Sequence, residues 1–183
     1  MTDDNHTHEA GLIEFPDISG RIEQALNRLD LLQLGGPAAN EILTSGEILP
    51  RPWDITTIHD PDLRQDTWEW LETFVIWFNT QHTWFSHDQI PPCWTEHPHL
   101  VHEIGTLADQ RRIAGDAPSS TPLDEWHRYT APAFLERTRP IRTGCEEKHV
   151  PWPGCPAHLR HIAPEASQKR EGRIAIDVSV SRQ

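Results

Sequence analysis

A chain of 183 residues, 36% apolar and with a formal net charge of −12, has the size of one ordinary domain with length to spare at its ends. It contains no run of about 18 apolar residues, which leaves out a spanning helix, and its polar start, Met1-Thr2-Asp3-Asp4, is the opposite of a secretory signal. A cytoplasmic protein is therefore expected, and three Cys without a short disulfide framework agree with a reducing compartment.

The charge is uneven. Residues 1–110 carry four Arg, no Lys and nineteen acidic residues, a net of −15, whereas 111–183 carry twelve basic and nine acidic residues, a net of +3. An acidic body repels phosphate backbones and favours solubility, so only the tail has the sign that nucleic acid requires.

Taken in chain order, residues 1–17 read as a mobile acidic arm. The stretch 18–59 reads as short helices and a loop. Ser19 stands where a helix cap belongs, Ile22, Ala25, Leu26, Leu29 and Leu32 follow at helical spacing, and Gly35-Gly36 ends the run. A further short helix is expected over 37–43, then a Pro-containing connection. Residues 60–140 form the helical core. Asp60-Pro61 is a strong helix start, and the segment to about Phe85 is apolar on nearly every face of its second half, which predicts a helix surrounded by others. Pro91-Pro92 interrupts the chain, a helix follows from His97-Pro98 to about Ala114, and another starts near Thr121-Pro122 with Pro132 expected to kink or divide it. After Pro140 the helical spacing fails. Residues 141–164 form a Cys/His-rich irregular segment and 165–183 a tail. In the tail Ile174, Ile176, Val178 and Val180 alternate as in a half-buried strand, and a lone strand is unstable, so disorder is expected there. The fold class is thus all-α, a small irregular bundle around a central aromatic-rich helix.

The chemistry with most potential lies in Cys145-x3-His149-x5-Cys155-x2-His158. Thiolate and imidazole are the ligands zinc takes in closed, structural, four-coordinate sites, and a segment with little apolar content needs such a staple. The sequence-based ligand set is therefore Cys145, His149, Cys155 and His158, with zinc as a structural cofactor; the paired Cys-x2-Cys knuckle is absent, and a Pro-rich loop with ordinary Cys and His is the alternative. A second cluster, Cys93-x3-His97-Pro98-His99-x2-His102-Glu103, has the residue types to add ligands to the same ion. The plainer reading makes His97 and His99 first-turn residues and His102 polar surface. Asp124 and Glu125 beside His127 suit a first helical turn through the helix dipole alone, and no nucleophile motif, phosphate loop or dinucleotide fingerprint occurs. No catalytic residue is assigned. Over residues 137–173, Arg137, Arg139, Arg142, Lys148, Arg160, Lys169, Arg170 and Arg173 outnumber four acidic residues, a weak footprint for nucleic acid.

Residues 74–158 bring together an aromatic helix, Trp94-x2-His97-Pro98, Leu100 to Arg111, Trp126-His127, Pro132 and Gly144-Cys145-x3-His149. This order resembles a family of uncharacterised actinobacterial proteins, often carried on plasmids, prophages or integrated elements. The resemblance covers about half the chain and implies a helical, non-enzymatic accessory protein of a mobile element, with a protein partner as its expected target. The alternatives are a DNA-associated protein binding through the basic tail and an acidic decoy of a DNA-binding protein.

Overall fold

The computed structural model describes residues 11–145, 149, 161 and 163–180, and these are helical with no strand among them. Among the described residues seven α-helices follow in order: α1 (Gly20–Leu34), α2 (Pro37–Ser45), α3 (Pro61–Gln81), α4 (Pro98–Asp116), α5 (Thr121–Glu125), α6 (Ala131–Gly144) and α7 (Pro164–Val180). The class is all-α. No helix among the described residues is long and apolar enough to cross a membrane. The chain divides into two units, 1–148 and 149–183.

Each helix start has a local cause. Ser19 accepts a bond from the Ile22 amide, and its hydroxyl also donates to Asp66 on α3 at 2.6 Å, so the cap fixes α1 against its neighbour. Asp60 caps α3 through the Leu63 amide, and Pro61 occupies the first position, where a missing N–H costs nothing. The Gly35-Gly36 pair takes positive φ at both residues and turns the chain into α2.

The central helix, α3, buries Leu63, Trp70, Leu71, Phe74, Val75, Trp77 and Phe78. It packs on α1 and α4, and the Phe78 ring meets Phe134 of α6 at 5.7 Å. It stops at Gln81, four residues before the expected end near Phe85. The reason is Asn79, whose side chain accepts from the Ile90 amide and donates to the Ile90 carbonyl, at 2.8 and 2.9 Å, and so folds the chain back on the helix. Trp84 is left on the surface. On the other side α4 comes so close to the 46–59 connection that a Cβ on Gly105 would lie 2.5 Å from the Trp53 carbonyl oxygen.

The segment before α1 is docked from Gly11 onward, which differs from the mobile arm expected over 1–17; residues 1–10 lie outside the described residues. Gln81 donates to the Gly11 carbonyl, Trp77 donates to the Ile13 carbonyl, and Phe15 sits edge-on to Trp77 at 5.1 Å. The Arg111 guanidinium is seated among Phe15, Trp77 and Trp126, 5.1–5.7 Å from the three ring centres. A desolvated cation over aromatic faces is an attractive contact, and here it ties the N-terminal strap to the bundle.

Pro132 acts as expected but by a specific device. Its ring clashes with the carbonyl four residues back, and between α5 and α6 the helix widens into a π-turn over Trp126–Thr130, in which the Ala131 amide bonds the Trp126 carbonyl. The helical spacing then persists beyond Pro140 to Gly144, contrary to the expectation that it fails there. Thr138 and Arg142 are buried and bond to each other at 2.9 Å across the proline.

The second unit contributes α7. The alternating Ile174, Ile176 and Val178 suggested a strand or disorder, and the structure has a helix of 17 residues instead. Pro164 and Glu165 open it favourably, and strong helix formers from Ala166 to Glu171 extend it. Once a nucleus exists, each added residue costs little, so the β-branched residues are carried along, with Ile174, Ile176 and Val178 exposed.

His82, at the end of α3, is pushed down to about 4 from 6.5, first by burial and then by His127 and Arg111. The unfolded chain therefore binds more protons than the folded one between these values, and stability falls as pH drops from 6.5 towards about 4. In His82→Gln this contribution disappears. Urea midpoints measured against pH will show wild type losing ground relative to the variant across that window; parallel curves would refute the assignment.

Candidate metal centre

Cys93 and His97 lie in the connection between α3 and α4. Pro91 and Pro92 prevent a helix, and the chain makes two consecutive tight turns, with the Trp94 amide on the Pro91 carbonyl and the His97 amide on the Trp94 carbonyl. Cys93 and His97 flank the single 3-10 turn Trp94–Glu96. Trp94 anchors that turn: its ring is buried 5.6 Å from Trp68, and its indole donates to Glu72 of α3 at 2.9 Å. His97 precedes a proline and is held extended at φ −114, ψ 92, outside the helix that begins one residue later.

Cys145 caps the far end of α6, its amide bonded to the Ile141 and Arg142 carbonyls. Arg142 brings this end to the α3–α4 connection. Its guanidinium is buried and donates to Thr138, to the Leu135 carbonyl at 2.6 Å and to the His87 carbonyl, with Asp88 at 3.8 Å. Burial lowers its pKa and Asp88 opposes that shift. One side chain therefore bridges α6 and the turn at Ser86–Asp88, a few residues before Cys93.

The result is a convergence of two Cys-x3-His segments. The Nε2 of His97 is 3.5 Å from the Cys93 sulfur and 3.3 Å from the Cys145 sulfur. His149, tethered four residues beyond Cys145, completes the set, and one ligand atom from each of Cys93, His97, Cys145 and His149 lies within 4.8 Å of all the others. These four groups are close enough to hold a metal ion. Tetrahedral zinc with ordinary Zn–S and Zn–N bonds has ligand-to-ligand edges of roughly 3.3–3.8 Å, and the two sulfur–nitrogen distances fall in that range. Cys145 and His97 are buried, Cys93 is half-buried and His149 is exposed. Burial first, and then the adjacent Cys145 thiol, push the Cys93 thiol above its usual value. A cation bound there would draw both sulfurs to thiolates and release protons.

Two of the four sequence-based ligands, Cys145 and His149, are thus in the cluster. Cys155 and His158 lie outside the described residues. Cys93 and His97 supply the other half; the signal was a repeat of the same Cys-x3-His spacing, and His97 is a buried residue at the helix cap rather than in the first turn. His99, His102 and Glu103 do not join. His102 lies 3.9 Å from Asp54, and Glu103 pairs with Arg137 at 2.7 Å. Asp124 pairs with Arg128 at 3.0 Å one helical turn on. Comparison with protein-family models, with curated proteins and with solved structures returns no match.

Arg142→Met removes the bridge and strands the carbonyls it serves. Leaving buried acceptors of this kind without their donor costs about 1–3 kcal/mol. Chemical denaturation is expected to show a loss of that order, whereas a loss below about 1 kcal/mol, the size of a surface pair, would place Arg142 outside the framework of the site.

Proposed function

We propose that this chain is a non-enzymatic helical interaction protein in which Cys93, His97, Cys145 and His149 hold one structural zinc ion. The observation that carries the reading is the convergence of two Cys-x3-His segments, 48 residues apart between His97 and Cys145, with two sulfur and two imidazole donors mutually within 4.8 Å. Four protein ligands fill a tetrahedron and leave no open position for substrate, which is the arrangement of structural rather than catalytic zinc. The ion would staple the α3–α4 connection to the end of α6 and add stability where the apolar core is thin. The setting we propose, an accessory protein of an actinobacterial phage or plasmid with a protein partner, rests on the sequence resemblance.

The charge distribution favours a protein partner over DNA. Arg137 pairs with Glu103, Arg139 pairs with Glu136, and Arg142 is buried. On α7 the three cations Lys169, Arg170 and Arg173 are interspersed with Glu165, Glu171 and Asp177. Such a surface offers few uncompensated charges for counterion release on a duplex.

Full-length protein purified without an affinity tag is expected to contain about one zinc per chain and to melt at lower temperature after chelation. His97→Ala and Cys93→Ser should lose the metal, while Cys155→Ser and His158→Ala keep it. The reverse pattern would move the site to the consecutive segment 145–158, and absence of zinc with no chelator effect would end the structural-metal reading. No electrophoretic shift of duplex or single-stranded DNA is expected at low salt; a salt-sensitive shift would favour the tail as a DNA contact.

A further inference from the structure

The two cysteines of the cluster differ in a way that a purely structural metal site does not require. Cys145 is 4% exposed at the end of α6, whereas Cys93, on the turn between α3 and α4, is partly exposed. Their sulfurs lie within 4.8 Å of each other, and both touch the same imidazole nitrogen. Neither residue is inside a helix body: Cys93 precedes a 3-10 turn and Cys145 is a helix cap. A disulfide requires the sulfurs to close from within 4.8 Å to roughly 2.05 Å.

We propose that Cys93 and Cys145 are an oxidation site for hydrogen peroxide, at which closure of a Cys93–Cys145 disulfide expels the zinc ion; this rests on the metal reading above. The accessible Cys93 thiolate attacks one peroxide oxygen. The O–O bond breaks, a sulfenic acid forms on Cys93, and the departing hydroxide takes a proton and leaves as water. The Cys145 thiolate then attacks the Cys93 sulfur, the S–S bond forms, the S–O bond breaks, and a second hydroxide leaves as water with another proton. Two electrons pass from the sulfur pair to one peroxide, which becomes two waters. Of the four ligands only His97 and His149 then remain, and two neutral imidazoles do not retain zinc against solvent.

The chemistry has a structural corollary. The disulfide would join the same two segments that the ion joins, so oxidation exchanges a metal cross-link for a covalent one. The oxidised, zinc-free protein should consequently melt above the reduced protein from which zinc has been chelated, because a cross-link that closes a loop of this size restricts the unfolded chain.

The test uses the zinc-loaded full chain, with metal content fixed by elemental analysis before any peroxide is added. Addition of hydrogen peroxide, followed with a metallochromic indicator, is expected to release the zinc in step with loss of two thiols. The intact mass should fall by about 2 Da for the disulfide, and peptide mapping should link Cys93 to Cys145. A thiol reductant with added zinc should restore the starting state, and Cys155→Ser should respond as wild type. Zinc retained under peroxide, over-oxidation of Cys93 without a link, or a link to Cys155 would each overturn the proposal while leaving the metal site in place. A chain without zinc before peroxide is added would overturn the metal reading, and this proposal with it.

Discussion

Burial of a guanidinium is expensive unless each of its donors finds an acceptor, and Arg142 meets that demand by drawing on two parts of the chain. Its own helix supplies Thr138 and the Leu135 carbonyl, and the α3–α4 connection supplies the His87 carbonyl and the Asp88 carboxylate. The charge has no other low-cost position once α6 packs on the core. The end of α6 is therefore held beside a loop that precedes it by some fifty residues in sequence. The approach of Cys145 to Cys93 and His97 follows from this arrangement.

The other half of the centre depends on the aromatic helix. Cys93 and His97 stand on a turn too short to be stable alone, and it is fixed because Trp94 is inserted against Trp68 and bonded to Glu72. Those partners sit on α3, whose remaining faces are occupied by α1, α4 and the rings of Trp126 and Phe134. The strap at Phe15 and the Arg111 cation close the opposite end of the same aromatic layer. Cys93, His97 and Cys145 thus lie at the edge of the packed core rather than on an independent loop, and packing positions these three donors.

The sequence made the class of fold and most helix starts readable, because caps and prolines act locally: Ser19, Asp60-Pro61 and His97-Pro98 each do what their chemistry predicts. Ends were harder. α3 stops where Asn79 bonds to Ile90, and α6 runs through Pro140 because Arg142 beyond it is buried and bonded to the His87 carbonyl of the α3–α4 connection; both causes are tertiary. The centre was half legible for the same reason. Cys145-x3-His149 stood out, but nearness along the chain drew attention to Cys155 and His158, whereas Cys93 and His97 are brought in by the fold. The alternating apolar residues of α7 misled because period-two spacing in four residues carries less weight than a helix already nucleated upstream.

The π-turn at Trp126–Thr130 has a consequence for how α6 is aimed. A wide turn of this kind holds one residue more than an α-helical turn, and one residue advances a helix by about 100°. Were the same residues wound as a regular α-helix from α5 into α6, with none removed, every later side chain would be rotated by about that angle. Arg142 and Thr138 would face away from the core, and the thiol of Cys145 would leave the imidazole of His97. The bulge acts as the phase setting of the helix, and the geometry of the distant cysteine–histidine cluster is written in its length.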